Sequence, residues 1–201
     1  MTRLQETHTI PTRLLAAGHR LFWRNGYHAT GIQEIADSAG VPKGSFYNHF
    51  GSKEAFAATI IENYGKWVSN NWDGLLAQAE AGSQADHVER IRTIFHFFID
   101  HHERAECLGC IVGNMAAEMA ESSPVCTSVM LRALEQWSRR LTESITQGQQ
   151  NGQIRRDIAA ERLSAIFLEA WEGALLRMKL HGDVQVAKEM VSTMLDTLFR
   201  P

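Results

Sequence analysis

The sequence is poor in the residues that mark secreted and membrane-spanning proteins. It holds three cysteines and four prolines in 201 residues. A small, odd number of cysteines argues against a disulfide scaffold and favours a reducing cytoplasm. No apolar run approaches the roughly 18 residues that a membrane helix requires, and the polar segment TRLQETHTIPTR after Met1 does not resemble a signal peptide. We therefore expect a cytoplasmic protein with no membrane-spanning segment.

The chain also lacks the alternating β-branched residues of strands. Hydrophobic residues make up 44% and charged residues 21%, a composition typical of globular proteins with an ample core. Apolar residues recur instead at helical spacing, which predicts an all-α fold. Beyond the segment described next, the expected helices are 9–25, 52–78, 85–104, 108–119, 124–149, 159–180 and 184–199. The segment 147–154, QGQQNGQI, is expected to be a polar connector.

Residues 26–56 carry the most informative pattern. Thr30 and Gln33 have the spacing of a capping box, and Gly40 stands where a helix would end in a left-handed conformation. After a short turn, KGSFYNH supplies a second helix that is too short to bury much apolar area. Its cationic, polar and aromatic side chains suit phosphate oxygens and base edges better than a protein core. The pattern therefore predicts two short helices that present a polar surface to nucleic acid.

Charge is divided unevenly along the chain. The net charge is −3, yet residues 1–56 hold six Lys and Arg against four Asp and Glu, whereas residues 57–201 hold fourteen against nineteen. The amino-terminal part is thus positive and the remainder acidic. A polyanion would be attracted to the first and repelled by the second, which favours docking through the amino-terminal end.

Residues 26–54 resemble the DNA-binding domain of TetR-family transcriptional regulators. The positions that carry the resemblance are Gly26, Thr30, Ile32, Ile35, Ala36, Ala39, Gly40, Val41, Lys43, Gly44, Ser45, Phe46, Tyr47, His49, Phe50, Ser52, Lys53 and Glu54. Pro42 departs from the pattern because a Ser or Thr cap is common there, but its fixed φ still suits a helix entrance. The resemblance implies a three-helix helix-turn-helix domain at 1–51 and a helical ligand-binding and dimerisation domain at 52–201. It also implies a repressor that an effector releases from DNA.

The resemblance and the side-chain chemistry together assign candidate DNA contacts. These are Thr30, Gln33, Lys43, Gly44, Ser45, Tyr47, Asn48, His49 and Lys53. Lys43 is expected at a phosphate or a guanine edge, Tyr47 at a phosphate, and Asn48 at a base, since its amide can pair bidentately with adenine. Phe46 and Phe50 are expected in the core, packed against residues such as Leu21, Phe22 and Ile35.

The last two helices, within 159–199, have apolar faces wider than a surface helix requires. An ordinary core would account for about half of these residues. The resemblance favours a homodimer in which two helices from each subunit form a four-helix bundle. Pairing would place two short recognition helices about one duplex turn apart, as a palindromic operator requires.

The segment 101–118, HHERAECLGCIVGNMAAE, permits three interpretations. Cys107 and Cys110 form a C-x-x-C pair with Cys126 farther along, but a structural zinc site takes four ligands at a stricter spacing, and no metal site is expected. One thiolate could instead act as a redox or electrophile sensor, or the cysteines could be small, half-buried hydrophobes. GCIVGNMAAE resembles a motif from one branch of the family, in which some members sense electrophiles through the cysteine that matches Cys110.

An effector pocket is expected among the middle helices, where bulky aromatic and soft side chains are abundant. The candidate lining residues are Trp67, Trp72, Phe95, His96, Phe98, Cys110, Asn114, Met115, Glu118, Trp137 and Trp171, with Met119 as a further neighbour. Their chemistry predicts a largely apolar or aromatic effector, neutral or weakly charged. Aromatic and Met side chains at this spacing also serve as ordinary core. No cofactor is expected.

Two rival functions need different features. A cysteine-dependent enzyme would use Cys110 as nucleophile and His101 or His102 as base, but the sequence shows no glycine-rich cradle and no paired-carboxylate signature. A structural helical adaptor would leave the exposed cationic and aromatic groups of GVPKGSFYNHF unused. We therefore expect a DNA-binding regulator and no enzymatic activity, with salt-dependent binding to duplex DNA as the distinguishing observation.

Overall fold

The computed structural model describes residues 9–81, 86–104 and 109–201, which contain helices and no strand. The all-α prediction is confirmed for these ranges. The helices are α1 Ile10–Asn25, α2 Ile32–Ala39, α3 Lys43–Phe50, α4 Lys53–Ala81, α5 His87–Arg104, α6 Ile111–Met119, α7 Pro124–Gln150, α8 Ala160–His181 and α9 Gln185–Thr193. A π-helical turn, Met194–Leu198, follows α9.

The ends of the first helices follow the expected capping chemistry. The Thr9 side chain accepts a hydrogen bond from the Thr12 backbone N–H, and proline lies in the first turn of α1. Gly40 adopts a left-handed conformation with φ of 63°, which ends α2 as predicted. The Arg13 guanidinium donates to the Gly40 carbonyl at 2.9 Å, so a basic side chain satisfies a carbonyl at the end of this helix. Pro42 enters α3 with φ of −61°, as expected for proline at a helix start.

The helix expected over 184–199 is present, but its last turn is wound differently from an α-helix. The Phe199 backbone N–H donates to the Met194 carbonyl, five residues earlier, at 3.1 Å. This bond belongs to a π-helical turn, so the last residues are wound more widely than an α-helix. The Phe199 carbonyl then accepts from the Arg155 backbone N–H at 2.9 Å. The polar connector after α7 is thereby tied to the end of the chain.

The structure divides into two compact units. The first comprises the described part of Met1–Gly65 together with Ile111–Ala133, and the second comprises the described parts of Lys66–Cys110 and Leu134–Pro201. The domain boundary expected between residues 51 and 52 remains a prediction. The first unit contains α1, α2, α3 and α6, together with the beginnings of α4 and α7. The second unit contains α5, α8 and α9, together with the remaining parts of α4 and α7.

The core of the first unit is built around Phe56 of α4. The Phe56 ring lies 4.7 Å from Phe50, 4.8 Å from Phe46 and 5.9 Å from Phe22, measured between centroids. Gly18 of α1 permits this packing, since a Cβ there would lie 2.3 Å from a Phe56 ring carbon. Each buried ring contributes about 1.5–3 kcal/mol of hydrophobic stabilisation. This cluster therefore holds α3 against α1 and α4.

The second unit is held by an aromatic core and by ion pairs between α5 and the end of the chain. Phe95 and Phe167 have centroids 4.6 Å apart, and Phe167 also contacts Phe199. Arg92 of α5 pairs with Asp196 and Arg200 pairs with Asp86 at 2.6 Å. These partly exposed pairs form a short network whose contribution is modest. None of the helices that the structure describes is long and apolar enough to cross a membrane.

Candidate functional site

The recognition helix α3 has one apolar and one polar face. Phe46 is fully buried and Phe50 half-buried, and both contact Phe56 as described above. The exposed positions of α3 are five of the predicted DNA contacts: Lys43, Gly44, Tyr47, Asn48 and His49. Tyr47 keeps 47% of its surface accessible, which is high for an aromatic residue. The buried rings fix α3 while its exposed face offers an ammonium, a hydroxyl, an amide and an imidazole.

Gly44 lies in the first turn of α3, and the space beside its Cα is open. A Cβ built at this position meets no heavy atom within 4 Å. No steric contact with the described residues therefore requires glycine there, although glycine in a helix costs about 0.5–1 kcal/mol relative to alanine. Ser45, beside it, is half-buried, and its backbone N–H donates to the Pro42 carbonyl at 2.9 Å. The open position at Gly44 is consistent with close approach of a partner molecule.

The expected capping box at Thr30 and Gln33 is wrong, because the N-cap lies one residue later, at Gly31, where only half of such a box can form. Gly31 is the N-cap of α2, and its backbone N–H donates to the Glu34 carboxylate at 3.3 Å. The Thr30 hydroxyl instead donates to the carbonyl of Gly26 at 2.8 Å.

The shift changes what the two predicted contacts can do. Thr30 is fully buried, so its expected role at DNA is corrected to a structural one. Gln33 is exposed and donates from its amide to Asp37 at 2.8 Å, one helical turn along α2. Gln33 thus remains accessible to a partner molecule.

Lys53, at the start of α4, is half-buried. Its ammonium lies 4.3 Å from the centroid of the Tyr27 ring, in a cation–π arrangement. Burial lowers the pKa of Lys53, while the nearby carboxylate of Glu118 opposes that shift. This lysine therefore has partners within the first unit, besides the phosphate contact expected for it.

Glu118 of α6 has a clear role that the sequence did not indicate. Its two carboxylate oxygens accept backbone N–H bonds from Tyr27 at 3.0 Å and from His28 at 2.7 Å. Gly26 precedes these donors with φ of 85° and ψ of 175°, a conformation essentially restricted to glycine. A Cβ at Gly26 would lie 2.2 Å from a Glu118 oxygen. We call this arrangement the Glu118 clamp; it fixes the loop that joins α1 to α2.

The second unit brings together most of the aromatic residues predicted to line an effector pocket. Phe95 of α5 lies 5.6 Å from Trp72 of α4 and 4.9 Å from Trp171 of α8, between centroids. Phe98 lies 6.5 Å from Phe95 and 5.8 Å from Trp67. We call these five residues, with Phe167, the aromatic cluster. Their pairing is largely edge-to-face, which is the preferred geometry of such rings.

The remaining pocket candidates are distributed differently. Asn114, Met115 and Glu118 belong to α6 in the first unit, and Glu118 is engaged in the clamp. Their membership in the pocket remains a prediction. Trp137 is buried on α7 in the second unit.

His96 faces charged groups as well as the core. Burial lowers its pKa, and the charge of Arg92 lowers it further, with Asp100 of α5 acting in the opposite direction. Lys188 of α9 also contributes to lowering it. This side chain therefore faces charged residues of α5 and α9, and its place in the pocket remains a prediction.

The cysteines occupy two unlike environments. Cys126 is fully buried on α7, and burial raises the pKa of its thiol. Cys110 is 6% exposed, and its thiol donates a hydrogen bond to Glu172 of α8. Burial raises the pKa of the Glu172 carboxyl, and the bond from Cys110 opposes that shift. Cys107 lies outside the described residues, and among those described no cluster of three or more His, Cys, Asp or Glu side chains has metal-site geometry.

Similarity to known proteins covers nearly the whole chain. Residues 14–60 match the family described as bacterial regulatory proteins, tetR family, and residues 87–194 match the tetracyclin repressor-like C-terminal domain. The repressor DhaR of Mycobacterium sp. strain GP1 is 32% identical over 189 residues, which cover 94% of this chain and 92% of that relative. The chain belongs to the TetR family of bacterial regulators.

Two further TetR-family proteins support the same assignment. The transcriptional regulator AcuR of Cereibacter sphaeroides is 32% identical over 168 residues, 83% of this chain and 75% of that protein. The crystal structure of a regulatory protein TetR from Rhodobacter sphaeroides has a TM-score of 0.85 at 28% identity. It covers 93% of this chain and 97% of that one.

Membership in the TetR family makes this chain a DNA-binding transcriptional regulator with a ligand-binding domain, and not an enzyme. The match at 14–60 contains α2 and α3, which carry the exposed polar groups described above. The match at 87–194 contains α5, α6, α7, α8 and α9. Regulators of this family bind DNA operators and small-molecule effectors, and they are generally dimeric.

Proposed function

We propose that this chain is a dimeric repressor that holds a palindromic operator through α3 and is released by a small apolar or electrophilic effector. The observation that carries the proposal is the two-faced α3, whose exposed polar groups stand on a buried aromatic support. DhaR, a relative over nearly the full length, is named as a repressor. Cytoplasmic location accompanies this function, since the operator is DNA.

Exposed leucines support the expected homodimer. On α8, Leu176 is 58% and Leu180 is 76% exposed, and the two side chains share one helix face. Gly173 stands on the same face, and a Cβ there would meet no atom within 4 Å. Half-buried apolar residues continue along the carboxyl-terminal segment at helical spacing: Val186, Met190, Met194 and Leu198. We infer that these surfaces of residues 159–199 pair with a second copy of the chain.

Effector binding would act through helix α4. An effector seated in the aromatic cluster would contact Trp67 and Trp72 of α4, the helix that begins at Lys53 beside α3 in the chain. We propose that the bound form favours a different direction of α4, which changes the spacing of the two α3 helices on the operator. The effector shifts this equilibrium only by the difference between its affinities for the two arrangements.

Lys43→Ala tests the DNA contact. A duplex selected from a randomised library by the wild-type protein serves as the operator. Each phosphate contact contributes roughly 0.9 to the slope of log affinity against log salt concentration. A dimer that loses two such contacts should therefore lose about two from this slope. Fluorescence anisotropy titrations at several salt concentrations measure it.

Arg139→Ala is the matched control, because Arg139 is an exposed cation on α7 of the second unit. Its salt slope should equal that of the wild type. An unchanged slope in Lys43→Ala would show that Lys43 makes no phosphate contact. Failure of the wild type to prefer any duplex over random competitor would refute the proposed function.

A thiol-sensor version of the function rests on Cys110. The Cys110 thiol is buried and donates a hydrogen bond to Glu172, which argues for slow reaction with electrophiles. With iodoacetamide, sulfur displaces iodide and the thiol proton is released to solvent. We expect Cys126 to stay unmodified until the chain unfolds and Cys110 to react more slowly than a free thiol.

Mass spectrometry of the alkylated protein in a Cys107→Ser background measures both rates. Operator release by the electrophile should disappear in Cys110→Ser and persist in Cys126→Ser if the thiol-sensor version holds. A Cys110→Ser variant that responds like the wild type would eliminate that version and leave reversible effector binding as the mechanism.

A further inference from the structure

Helix α4 carries two buried polar side chains that have no hydrogen-bond partner among the described groups. Ser69 is 6% and Trp72 is 2% exposed, and the unpaired atoms are the Ser69 Oγ and the Trp72 Nε1. The residues are three apart, so they are neighbours on one face of the helix. The chain therefore buries a hydroxyl donor and an indole donor side by side.

The hydroxyls of the other buried Ser and Thr residues in the described part of the chain each have a hydrogen-bond partner: Thr30, Ser123, Ser144 and Ser164. Ser144 donates to the Arg140 carbonyl at 3.1 Å, and Thr59 donates to the Ala55 carbonyl at 2.9 Å. Both are bonds to the carbonyl four residues earlier, which is the usual solution for a hydroxyl within a helix. Ser69 does not use this solution, although it lies well inside α4.

The surroundings of Trp72 are aromatic. The Trp72 ring stands edge-to-face against Phe95, with an interplanar angle of 87°. Phe95 in turn contacts Phe167 and Trp171 of α8. These rings offer no acceptor to the indole N–H, so the Trp72 donor lies in an apolar region, with Ser69 one helical turn away on the same face of α4.

An unpaired buried donor lowers the stability of the fold, and a single substitution would remove it. A buried donor without a partner destabilises the folded chain, whereas an apolar group of similar shape does not. Phe at position 72 and Ala at position 69 would retain most of the packing without the buried donors. Retention of both donors in an aromatic region is typical of a small-molecule site, where a few polar groups orient an apolar ligand.

We propose that Ser69 Oγ and Trp72 Nε1 form a donor pair that binds the acceptor oxygen of the effector. The ligand class is a small neutral molecule with an apolar body and one carbonyl-type oxygen. Both donors are neutral and offer no positive charge to an anion, which favours a neutral ligand. The inference rests on the proposed function, since it specifies the effector of the same aromatic cluster.

Two probes of nearly the same shape measure how much the carbonyl oxygen of a ligand contributes to binding. Acetophenone carries a carbonyl where α-methylstyrene carries a methylene group. The full chain is labelled with ¹⁵N at its tryptophan indoles, and the Trp72 signal is assigned from its loss in Trp72→Phe. Acetophenone at millimolar concentration should shift the Trp72 indole N–H signal and slow its hydrogen exchange, because a hydrogen bond forms. The hydrocarbon should bind more weakly and should not produce this downfield shift.

The variants test the same point through affinity. Ser69→Ala and Trp72→Phe should each weaken acetophenone binding by about two- to tenfold, the usual effect of losing one neutral hydrogen bond. Ser69→Ala should leave the affinity for α-methylstyrene unchanged, and Trp72→Phe should weaken the binding of acetophenone more than that of α-methylstyrene. Ser144→Ala removes a buried hydroxyl from the same unit and should leave the binding of both probes unchanged. Equal binding of the two probes, or an unresponsive Trp72 signal, would overturn the inference and indicate that the donors bind water.

The outcome is separable from that of the proposed function. Without a probe, the wild type and Ser144→Ala should both hold the selected operator. Intact operator binding with no discrimination between the probes overturns only the donor pair. Absence of selective operator binding in the wild type overturns the regulator proposal itself.

Discussion

Leu176→Asp combined with Leu180→Asp is expected to produce monomers that no longer bind the operator tightly. Both leucines are more than half exposed on α8 in the isolated chain. In the proposed dimer each buried leucine contributes about 1.5–3 kcal/mol, and an aspartate in its place would be an unpaired buried charge. A monomer presents one α3, which contacts a single half-site, so the affinity gained from two half-sites is lost.

Sedimentation velocity measures the assembly state and fluorescence anisotropy measures operator affinity. The two leucines are exposed in one chain, so circular dichroism of the double variant should match that of the wild type. Leu131→Asp is the matched control, because Leu131 is 54% exposed on α7 and lies outside the proposed interface. A double variant that remains dimeric would place the interface elsewhere. A monomer with wild-type operator affinity would contradict the need for pairing.

The helices could be predicted from the sequence because their signals are local. Gly40 ends α2 in the left-handed conformation expected of it, and Gly182 does the same for α8 with φ of 68°. Pro42 and Pro124 each stand at a helix start. The helical spacing of apolar residues predicts the helices between these ends. These signals act over four or five residues, so one sequence contains all the information needed.

The capping box shows where a local pattern is ambiguous. Thr30 with Gln33 and Gly31 with Glu34 both have the required spacing, and the hydroxyl of Thr30 favours the first pair. The structure contains the Gly31–Glu34 bond instead. The hydroxyl of Thr30 is not available for capping, because it is buried and donates to the carbonyl of Gly26. That choice depends on how α1 packs against α2, which a four-residue window does not contain.

The aromatic cluster could be predicted in part. Trp72, Phe95 and Trp171 are bulky residues on the middle helices, which makes them pocket candidates from sequence, and the structure places their rings in contact. Ser69 is not predictable in this way, since a serine within a helix gives no sequence signal of being buried without a partner. Glu172 escapes prediction because its burial and its hydrogen bond from Cys110 also arise only in the folded chain. Unpaired and buried polar groups are defined by tertiary surroundings and become visible only there.

The Glu118 clamp joins residues that are about ninety positions apart in the sequence, and Gly26→Ala is expected to disrupt it. Alanine at φ of 85° and ψ of 175° is strained by about 1–3 kcal/mol. The new Cβ would also displace the Glu118 carboxylate, whose two bonds to backbone N–H groups are worth about 1.5–3 kcal/mol each. Urea unfolding should therefore show a loss of about 3 kcal/mol or more, larger than that of most single substitutions.

Glu118→Ala and Gly51→Ala separate the two causes. Gly51 has φ of 70°, and a Cβ added there would meet no heavy atom within 4 Å, so alanine at this position carries conformational strain alone. Once Glu118 is removed, Gly26→Ala should cost about as much as Gly51→Ala, because the carboxylate is no longer present to be displaced. The double variant should therefore be more stable than the sum of the single losses predicts. Additive losses would show that Gly26 and Glu118 act independently. Because the clamp fixes the loop between α1 and α2, operator affinity should fall in each clamp variant even at temperatures where the chain remains folded.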